Sequence, residues 1–209
     1  MKAIHTARLL EPPAGTALPG MKILMIFGIL VSACAHIPGG GAAPTIDLVE
    51  LRRTFEMGLD VAEHYRIPAI QSRRFTYEEL WAALETPVGA PVFQVEEVGR
   101  SLQGRPIRTV TFGHGPTAAL LWSQMHGDES TATMALADII NYFSDSSPDP
   151  FRENLLDRLT VVLIPMLNPD GAQLFQRRNA VGIDINRDAR RLATPEARVL
   201  KKVRDRVQP

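Results

Sequence analysis

A histidine and a glutamate three positions apart, His126 and Glu129, are the side chains in this sequence best suited to binding a metal ion. They follow an apolar run at 118–124 that predicts a buried strand, and they precede a segment at 130–143 whose apolar residues recur at helical spacing. Ligands in open α/β sheets bind beyond the carboxyl ends of the strands. An imidazole and a carboxylate on such a turn can converge on one zinc ion. The spacing alone also fits an incidental pair, so the prediction depends on the position after the strand.

Polar residues also follow a second apolar run, at 159–167, which predicts another buried strand. The Asn-Pro-Asp-Gly sequence at 168–171 favours a tight turn for backbone reasons. Further on, the segment 177–188 places charged and amide side chains around a short apolar piece at 183–185 that is typical of a strand end. Guanidinium groups bind carboxylates through paired hydrogen bonds, so this segment has the chemistry to recognise the free C-terminus of a peptide. A solvated cluster of surface charges is the alternative interpretation.

The elements that must position these residues alternate between strands and helices. Strands are predicted at 93–98, 107–112, 118–124 and 159–167, and helices at 45–65, 76–84, 130–143 and from 194 onward. Thr76 and Glu79 form a capping-box sequence at the start of one helix. The alternation predicts an α/β domain with a largely parallel or mixed sheet. The two uninterrupted apolar runs predict strands that are covered on both faces.

The overall charge gives no reason to expect a nucleic-acid partner. The 209 residues include 23 lysines and arginines and 23 aspartates and glutamates, so the net charge is zero. Binding to nucleic acid depends on clustered basic charge. The single cysteine, Cys34, excludes an intrachain disulfide.

The N-terminal region has the pattern of a bacterial lipoprotein signal. An apolar run at 23–31 is too short to span a bilayer but suits the core of a secretory signal. The sequence Val-Ser-Ala-Cys that ends at Cys34 resembles a lipoprotein processing site, at which this cysteine would carry lipid. We expect these segments: an upstream extension at 1–20, a signal peptide at 21–34, a linker at 35–46 and a globular domain at 47–209. The expected location is the bacterial cell envelope, with the lipid as the only membrane contact. A short apolar segment with a chance cysteine is the alternative.

Together these motifs resemble the M14 zinc carboxypeptidase family over residues 95–207. The resemblance begins with the sequence Val-Gly-Arg-Ser-Leu-Gln-Gly-Arg-Pro-Ile at 98–107 and includes the segment at 168–171. It implies that His126 and Glu129 are the first two zinc ligands. It also implies an α/β fold with a mixed, mostly parallel sheet and helices on both faces.

The resemblance gives roles to four residues of the arginine-rich segment. Arg177 matches the arginine that polarises the scissile carbonyl, and Arg178 is the other candidate for that position and for contact with substrate. Asn186 and Arg187 match the pair that holds the terminal carboxylate of the substrate. The implied function is zinc-dependent hydrolysis of C-terminal peptide bonds in peptides with a free C-terminus. Asp188 departs from the asparagine that commonly follows this pair in the family.

The resemblance also implies site residues that this sequence does not contain. In the family, a third histidine ligand, a general-base glutamate and a tyrosine lie downstream of the Asn-Arg pair. No histidine follows Arg187, and His114 lies before the strand that His126 follows, roughly 20 Å away. We therefore expect a partial domain, inactive alone, whose remaining site residues lie beyond Pro209. A zinc deacylase of N-acyl amino acids and a non-catalytic peptide-binding lipoprotein are the alternative functions.

Overall fold

The computed structural model describes residues 61–209. Three predicted segments lie outside the described residues, namely the extension at 1–20, the signal peptide at 21–34 and the linker at 35–46. The predicted helix at 45–65 begins outside them as well, and residues 61–64 at its described end are helical.

Strands and helices follow one another along the described part, as the sequence pattern predicts. The strands are β1 (Gln94–Arg100), β2 (Pro106–Phe112), β3 (Thr117–Trp122) and β4 (Leu159–Ile164). The helices after residue 65 are α1 (Tyr77–Val88), α2 (Thr131–Ser144), α3 (Pro150–Arg158), α4 (Pro169–Leu174), α5 (Ile185–Asp188) and α6 (Pro195–Val207). Within residues 61–209, the helices lack the length and apolar character that crossing a lipid bilayer requires.

The four strands form one mixed sheet in the order β1-β2-β4-β3. Strand β3 pairs with β4 in parallel, whereas β1 with β2 and β2 with β4 are antiparallel. The α/β class with a mixed sheet is therefore confirmed. Of the three described strand pairings, one is parallel and two are antiparallel. Strand β4 is buried as predicted. Strand β3 is only half-buried, and Trp122 at its end is 44% exposed, because β3 is the edge strand of the described sheet.

Helices cover both faces of the sheet, and each face has its own hydrophobic core. Alternate residues of β4 point to opposite faces. Val161 and Leu163 belong to the core under α1 and α2, whereas Val162 and Ile164 belong to the core under α6. The predicted apolar side of α6 supplies Val203 to this second core.

Side chains that cap helices explain where several elements begin. Thr76 and Glu79 form the predicted capping box, since each side chain accepts a hydrogen bond from the backbone N–H of the other. Thr194 caps α6 by accepting from a backbone N–H three residues later. Helix α3 is absent from the sequence-based prediction, although Asp149 caps it and Pro150 occupies its first turn.

Two predictions of local structure are wrong, and both errors concern residues next to the site. The predicted turn at 168–171 is the start of α4, because Asn168 caps that helix by accepting a hydrogen bond from the Gly171 N–H at 2.9 Å. The predicted strand end at 183–185 leads directly into α5, because Asp184 accepts from the backbone N–H two residues later at 3.0 Å. In both segments a polar side chain satisfies a backbone N–H that would otherwise be unpaired at a helix start.

Candidate active site

The loops that follow β3 and β4 run side by side, which brings the turn at His126 against α4. The Ser123 carbonyl accepts a hydrogen bond from the Leu167 N–H at 3.1 Å, beyond the ends of both strands. Gly127 makes the closest approach, since a Cβ atom there would lie 2.0 Å from the carbonyl carbon of Gly171. Only glycine fits such a contact between two backbones. The polar residues that follow the two strands therefore lie together.

Four side chains from three segments meet in one hydrogen-bonded group, which we call the site cluster: His126, Glu129, Arg177 and Asp184. Nδ1 of His126 lies 2.9 Å from Oε2 of Glu129, and Nε2 lies 3.1 Å from Oδ1 of Asp184. Arg177 bridges the same two carboxylates, with Nη1 at 3.0 Å from Glu129 Oε1 and Nε at 3.2 Å from Asp184 Oδ2. His126 is 8% exposed, so its ring is held from both sides.

The two nitrogens of His126 face carboxylates in different surroundings. A carboxylate accepts hydrogen bonds and donates none when ionised, so the more buried Asp184 favours the tautomer of His126 with its proton on Nε2. Nδ1, on the side of Glu129, is then the nitrogen that can bind a metal ion. The Glu129 side chain is 59% exposed, whereas that of Asp184 is 14% exposed. The cluster therefore has an open side with two potential ligands and a closed side that orients the imidazole.

The donor set fits zinc in kind and supplies two of the ligands that a catalytic site needs. An imidazole nitrogen and a carboxylate oxygen are both common zinc ligands, and a catalytic site has three protein ligands with one open position. Within residues 61–209, no group of three or more histidine, cysteine, aspartate or glutamate side chains is arranged to hold a metal ion. His114, before β3, pairs with Asp157 at 3.1 Å. His126 and Glu129 therefore remain the two described candidates.

Asp184 is a member of the site that the sequence analysis does not assign. Burial opposes its ionisation, but the hydrogen bond with His126 and the charge of Arg177 together hold the pKa of the Asp184 carboxyl below its usual value. The carboxylate consequently stays charged and can hold both neighbours at neutral pH. Its signal in the sequence is the position directly before α5, where an aspartate caps a helix.

The two candidate arginines occupy different positions. Arg177 belongs to the site cluster, with its side chain 45% exposed. Arg178 instead donates to the backbone carbonyl of Gly182 at 2.7 Å and closes the loop that both arginines share. An open pocket of about 370 Å³ is lined by this loop. Of the two, Arg177 has the contacts expected of a residue that acts beside the candidate metal ligands.

Asn186 and Arg187 lie on α5, immediately after Asp184. The Asp184 carboxylate accepts from the Asn186 N–H at 3.0 Å, and its carbonyl accepts from the Arg187 N–H at 3.0 Å. Both side chains are exposed and have no polar partner among residues 61–209. The residue that orients His126 therefore also sets the backbone from which these two side chains project.

The buried carboxylate of Asp170, on α4, holds the loop between β1 and β2. Asp170, 1% exposed, accepts hydrogen bonds from Ser101 Oγ at 2.8 Å, the Gln103 N–H at 2.9 Å and Arg105 Nη1 at 2.8 Å. These donors all belong to the loop between β1 and β2. The sequence analysis assigns Asp170 to a turn and misses this role.

Comparison with known proteins places the same segment in a family. The zinc carboxypeptidase family model matches residues 89–195. Carboxypeptidase SOL1 of Arabidopsis thaliana is 25% identical over 138 residues, which cover 61% of this chain and 28% of the relative. Carboxypeptidase A2 of Mus musculus is 30% identical over 132 residues, which cover 54% of this chain and 32% of the relative. The chain thus spans about a third of the length of these curated relatives.

A solved structure agrees with these sequence matches. The metallo-carboxypeptidase from Burkholderia cenocepacia is 25% identical, with a TM-score of 0.58, over 64% of this chain and 39% of that one. The family match covers about half of the 209 residues and includes the whole site cluster. The resemblance found in the sequence is confirmed, and this chain belongs to the zinc carboxypeptidase family.

Proposed function

We propose that this chain carries part of the active site of a zinc-dependent carboxypeptidase that removes the last residue of peptides with a free C-terminus. The site cluster supports the proposal, because it joins His126 and Glu129 on an open side and braces the imidazole with Asp184 on a closed side. The proposed reaction also requires a third zinc ligand and a general base. Experiments on activity therefore use the full-length protein.

The roles proposed for the residues of the site cluster follow from their contacts. Bound zinc would polarise the scissile carbonyl and activate a water molecule. His126 and Glu129 would hold the ion. Asp184 keeps the Nε2 proton in place, which fixes the orientation of the ring and raises its basicity as a ligand.

Arg177 is the proposed residue for stabilising charge on the substrate. Its guanidinium is half-exposed and has five N–H donors, of which the contacts to Glu129 and Asp184 use two. The remaining donors can reach the carbonyl oxygen of a bound peptide. Such a contact strengthens as the oxygen gains negative charge, so it lowers the barrier more than it tightens binding.

Asn186 and Arg187 are the proposed clamp for the terminal carboxylate. An arginine binds a carboxylate through two parallel hydrogen bonds, and the exposed side chain of Arg187 has no other polar partner in the described part. Loss of a charge-assisted pair costs about 1.5–3 kcal/mol, or about 10- to 100-fold in affinity.

The test uses pairs of peptides that differ only in a free or amidated C-terminus. We expect the full-length protein to release the last residue of the free acid in a zinc-dependent reaction, and His126→Ala to abolish zinc binding and release. Arg187→Ala should weaken binding of the free acid about 10- to 100-fold, and Arg191→Ala, at an exposed arginine without a proposed role, should not. Equal losses on free-acid and amidated peptides in Arg187→Ala would show that the clamp is assigned wrongly.

We also propose that Cys34 carries lipid and anchors the enzyme in a bacterial cell envelope. The support is the apolar run at 23–31 and the processing-site sequence before the cysteine. Expression in a bacterium with radioactive palmitate should give a labelled, membrane-associated product, and Cys34→Ser should remove the label. An unlabelled wild-type product that begins at Met1 would refute the anchor.

A further inference from the structure

Two adjacent arginines upstream of the family match, Arg73 and Arg74, lie beside the site cluster. Nη2 of Arg73 donates to the backbone carbonyl of Asp128 at 3.3 Å, within the turn that carries the two candidate zinc ligands. The guanidinium of Arg74 stacks on the ring of Phe175, 5.9 Å from its centroid, two residues before Arg177. The pair thus contacts the turn that carries His126 and Glu129 and the loop that carries Arg177.

The segment that carries these arginines is attached to α2 rather than loosely placed. Ser130, fully buried at the start of α2, does not cap its own helix; its hydroxyl donates to the carbonyl of Arg73 instead. Upstream, the Ile67 N–H donates to Asp138 Oδ1 at 2.9 Å. Downstream, Phe75 is 5% exposed and packs in the core under α1 and α2. Three anchor points within nine residues fix the backbone at Arg73.

Both guanidinium groups are exposed, and neither pairs with a carboxylate of the described part. Among residues 61–209, the Arg73 guanidinium donates to a carbonyl oxygen, and the Arg74 guanidinium lies over an aromatic ring. The arginines in and around the site cluster outnumber the carboxylates, with Arg73, Arg74, Arg177, Arg178 and Arg187 against Asp128, Glu129 and Asp184. Oδ1 of Asp128 is buried away from solvent. The exposed surface here therefore has an excess of positive charge.

The contacts run in order from the clamp candidates, through the site cluster, to Arg73, and this order indicates which part of a bound peptide would lie near Arg73 and Arg74. The clamp candidate Asn186 adjoins Asp184, at one end of the site cluster. Glu129 lies at the other end, and Arg73 contacts Asp128, its neighbour in the chain. A peptide held by its C-terminus at the clamp, with its last peptide bond at the candidate zinc ligands, continues toward Arg73. The residues that reach this arginine are those on the N-terminal side of the scissile bond.

We propose that Arg73 and Arg74 form an anion-binding rim that favours peptide substrates with an acidic residue on the N-terminal side of the scissile bond. The inference rests on the proposed carboxypeptidase function, since that function sets the direction in which the peptide lies. It makes acidic peptides the preferred substrate class. Arg73 and Arg74 are specificity-determining residues here and take no part in the chemical step.

The test measures binding of four peptide analogues to the zinc-loaded full-length protein by calorimetric titration. Each analogue has a non-cleavable ketomethylene group in place of the last peptide bond. The set combines glutamate or glutamine two residues before that bond with a free or amidated C-terminus. The protein variants are Arg73→Gln, Arg74→Gln and, as a control for net charge, Arg204→Gln, whose exposed guanidinium pairs with Asp205 on α6.

We expect the wild-type protein to bind the glutamate analogue about two- to fivefold more tightly than the glutamine analogue for each arginine engaged, as exposed charge pairs do. The preference should shrink in Arg73→Gln and in Arg74→Gln, persist in Arg204→Gln and decrease as salt is added. If the preference for the glutamate analogue were unchanged in both Arg73→Gln and Arg74→Gln, or if Arg204→Gln lost it equally, the proposed anion-binding rim would be wrong. Equal binding of free and amidated C-termini with the glutamate preference retained would instead overturn the proposed function, and Arg73 and Arg74 would then bind anionic peptides without the assigned direction.

Discussion

Replacing Asp184 by asparagine tests whether the carboxylate behind His126 controls zinc binding. The amide keeps the size of the side chain and can still accept from the Asn186 N–H and the His126 Nε2–H through one oxygen, since both contacts use Oδ1. Its NH2 group then faces Nε of Arg177, where Oδ2 of the carboxylate now accepts at 3.2 Å. The substitution therefore removes the negative charge next to the His126 imidazole and places the asparagine NH2 group opposite the Arg177 Nε–H, so that two donors face each other. It creates no cavity.

The expected effect is a weaker zinc complex with an intact fold. Loss of a carboxylate that orients a histidine ligand typically costs 10- to 100-fold in metal affinity, or about 1.4–2.7 kcal/mol. We place Asp184→Asn within this range, because the hydrogen bond to His126 survives while its charge assistance does not. A competition titration with a chromophoric chelator at fixed pH measures the ratio of the two dissociation constants.

Asp188→Asn is the matched control, since it makes the same chemical change four residues further along. Asp188 is 3% exposed and accepts from the Ala193 N–H at 3.0 Å and from the N–H and hydroxyl of Thr194 at 2.7 Å each. The amide leaves buried donors unpaired, so this variant should lose about 1–3 kcal/mol of unfolding free energy and keep its zinc affinity. Wild-type affinity in Asp184→Asn, or an equal loss in Asp188→Asn, would refute the role given to Asp184.

Three further outcomes are expected. In steady-state kinetics of the full-length protein, Arg177→Ala should lower kcat more than it raises KM. Arg178→Ala loses only a loop contact, so its kcat should stay near the wild-type value. The opposite pattern would show that Arg178, and not Arg177, acts in the reaction. Gly127→Ala should lower the thermal midpoint and weaken zinc binding, because its Cβ atom would collide with the backbone of α4; a variant with wild-type melting would contradict the close approach. The hydrogen bond with Tyr65 holds the pKa of Asp145 below its usual value, so the folded state binds a proton less readily than the unfolded state there. Stability from this pair should be complete above about pH 4 and be lost as the pH falls below it, and Asp145→Asn should flatten the decline in a series of thermal melts from pH 7 to 2.

The sequence correctly predicts the structural features that depend on residues close together in the chain. The capping box at Thr76 and the apolar run that becomes β4 are local patterns, and both appear in the structure. The prediction fails where a local pattern competes with a cap, as at Asp184, whose alternation with isoleucines favours a strand while its side chain starts a helix. The contact of Asp184 with His126 joins residues 58 positions apart, and no spacing rule reveals it. Arg73 lies upstream of the family match, so neither the motifs nor the resemblance points to it.

The position of Arg177 depends on buried contacts that take no part in the chemistry. The loop that carries it is tied at Asn179, whose side-chain oxygen accepts from the N–H groups of Val181 and Ile183 at 3.2 and 2.9 Å. Asn179 also donates to Glu196, a fully buried carboxylate that accepts from the Leu102 N–H at 3.1 Å. A buried charge is costly unless it is satisfied, so this contact links the loop firmly to the start of α6 and to the turn after β1.

Several of the contacts that hold the site converge on the turn that follows β1. The turn after β1 gives Asp170 and Glu196 most of their hydrogen bonds. Asp170 belongs to α4, against which the Gly127 turn packs, and Glu196 ties down the Arg177 loop. The turn that carries His126 and Glu129 and the loop that carries Arg177 are therefore both held through the turn after β1. Both segments and the turn that holds them lie within residues 89–195, so the family match includes the contacts of Asp170 that position the site cluster, and Glu196 directly follows it.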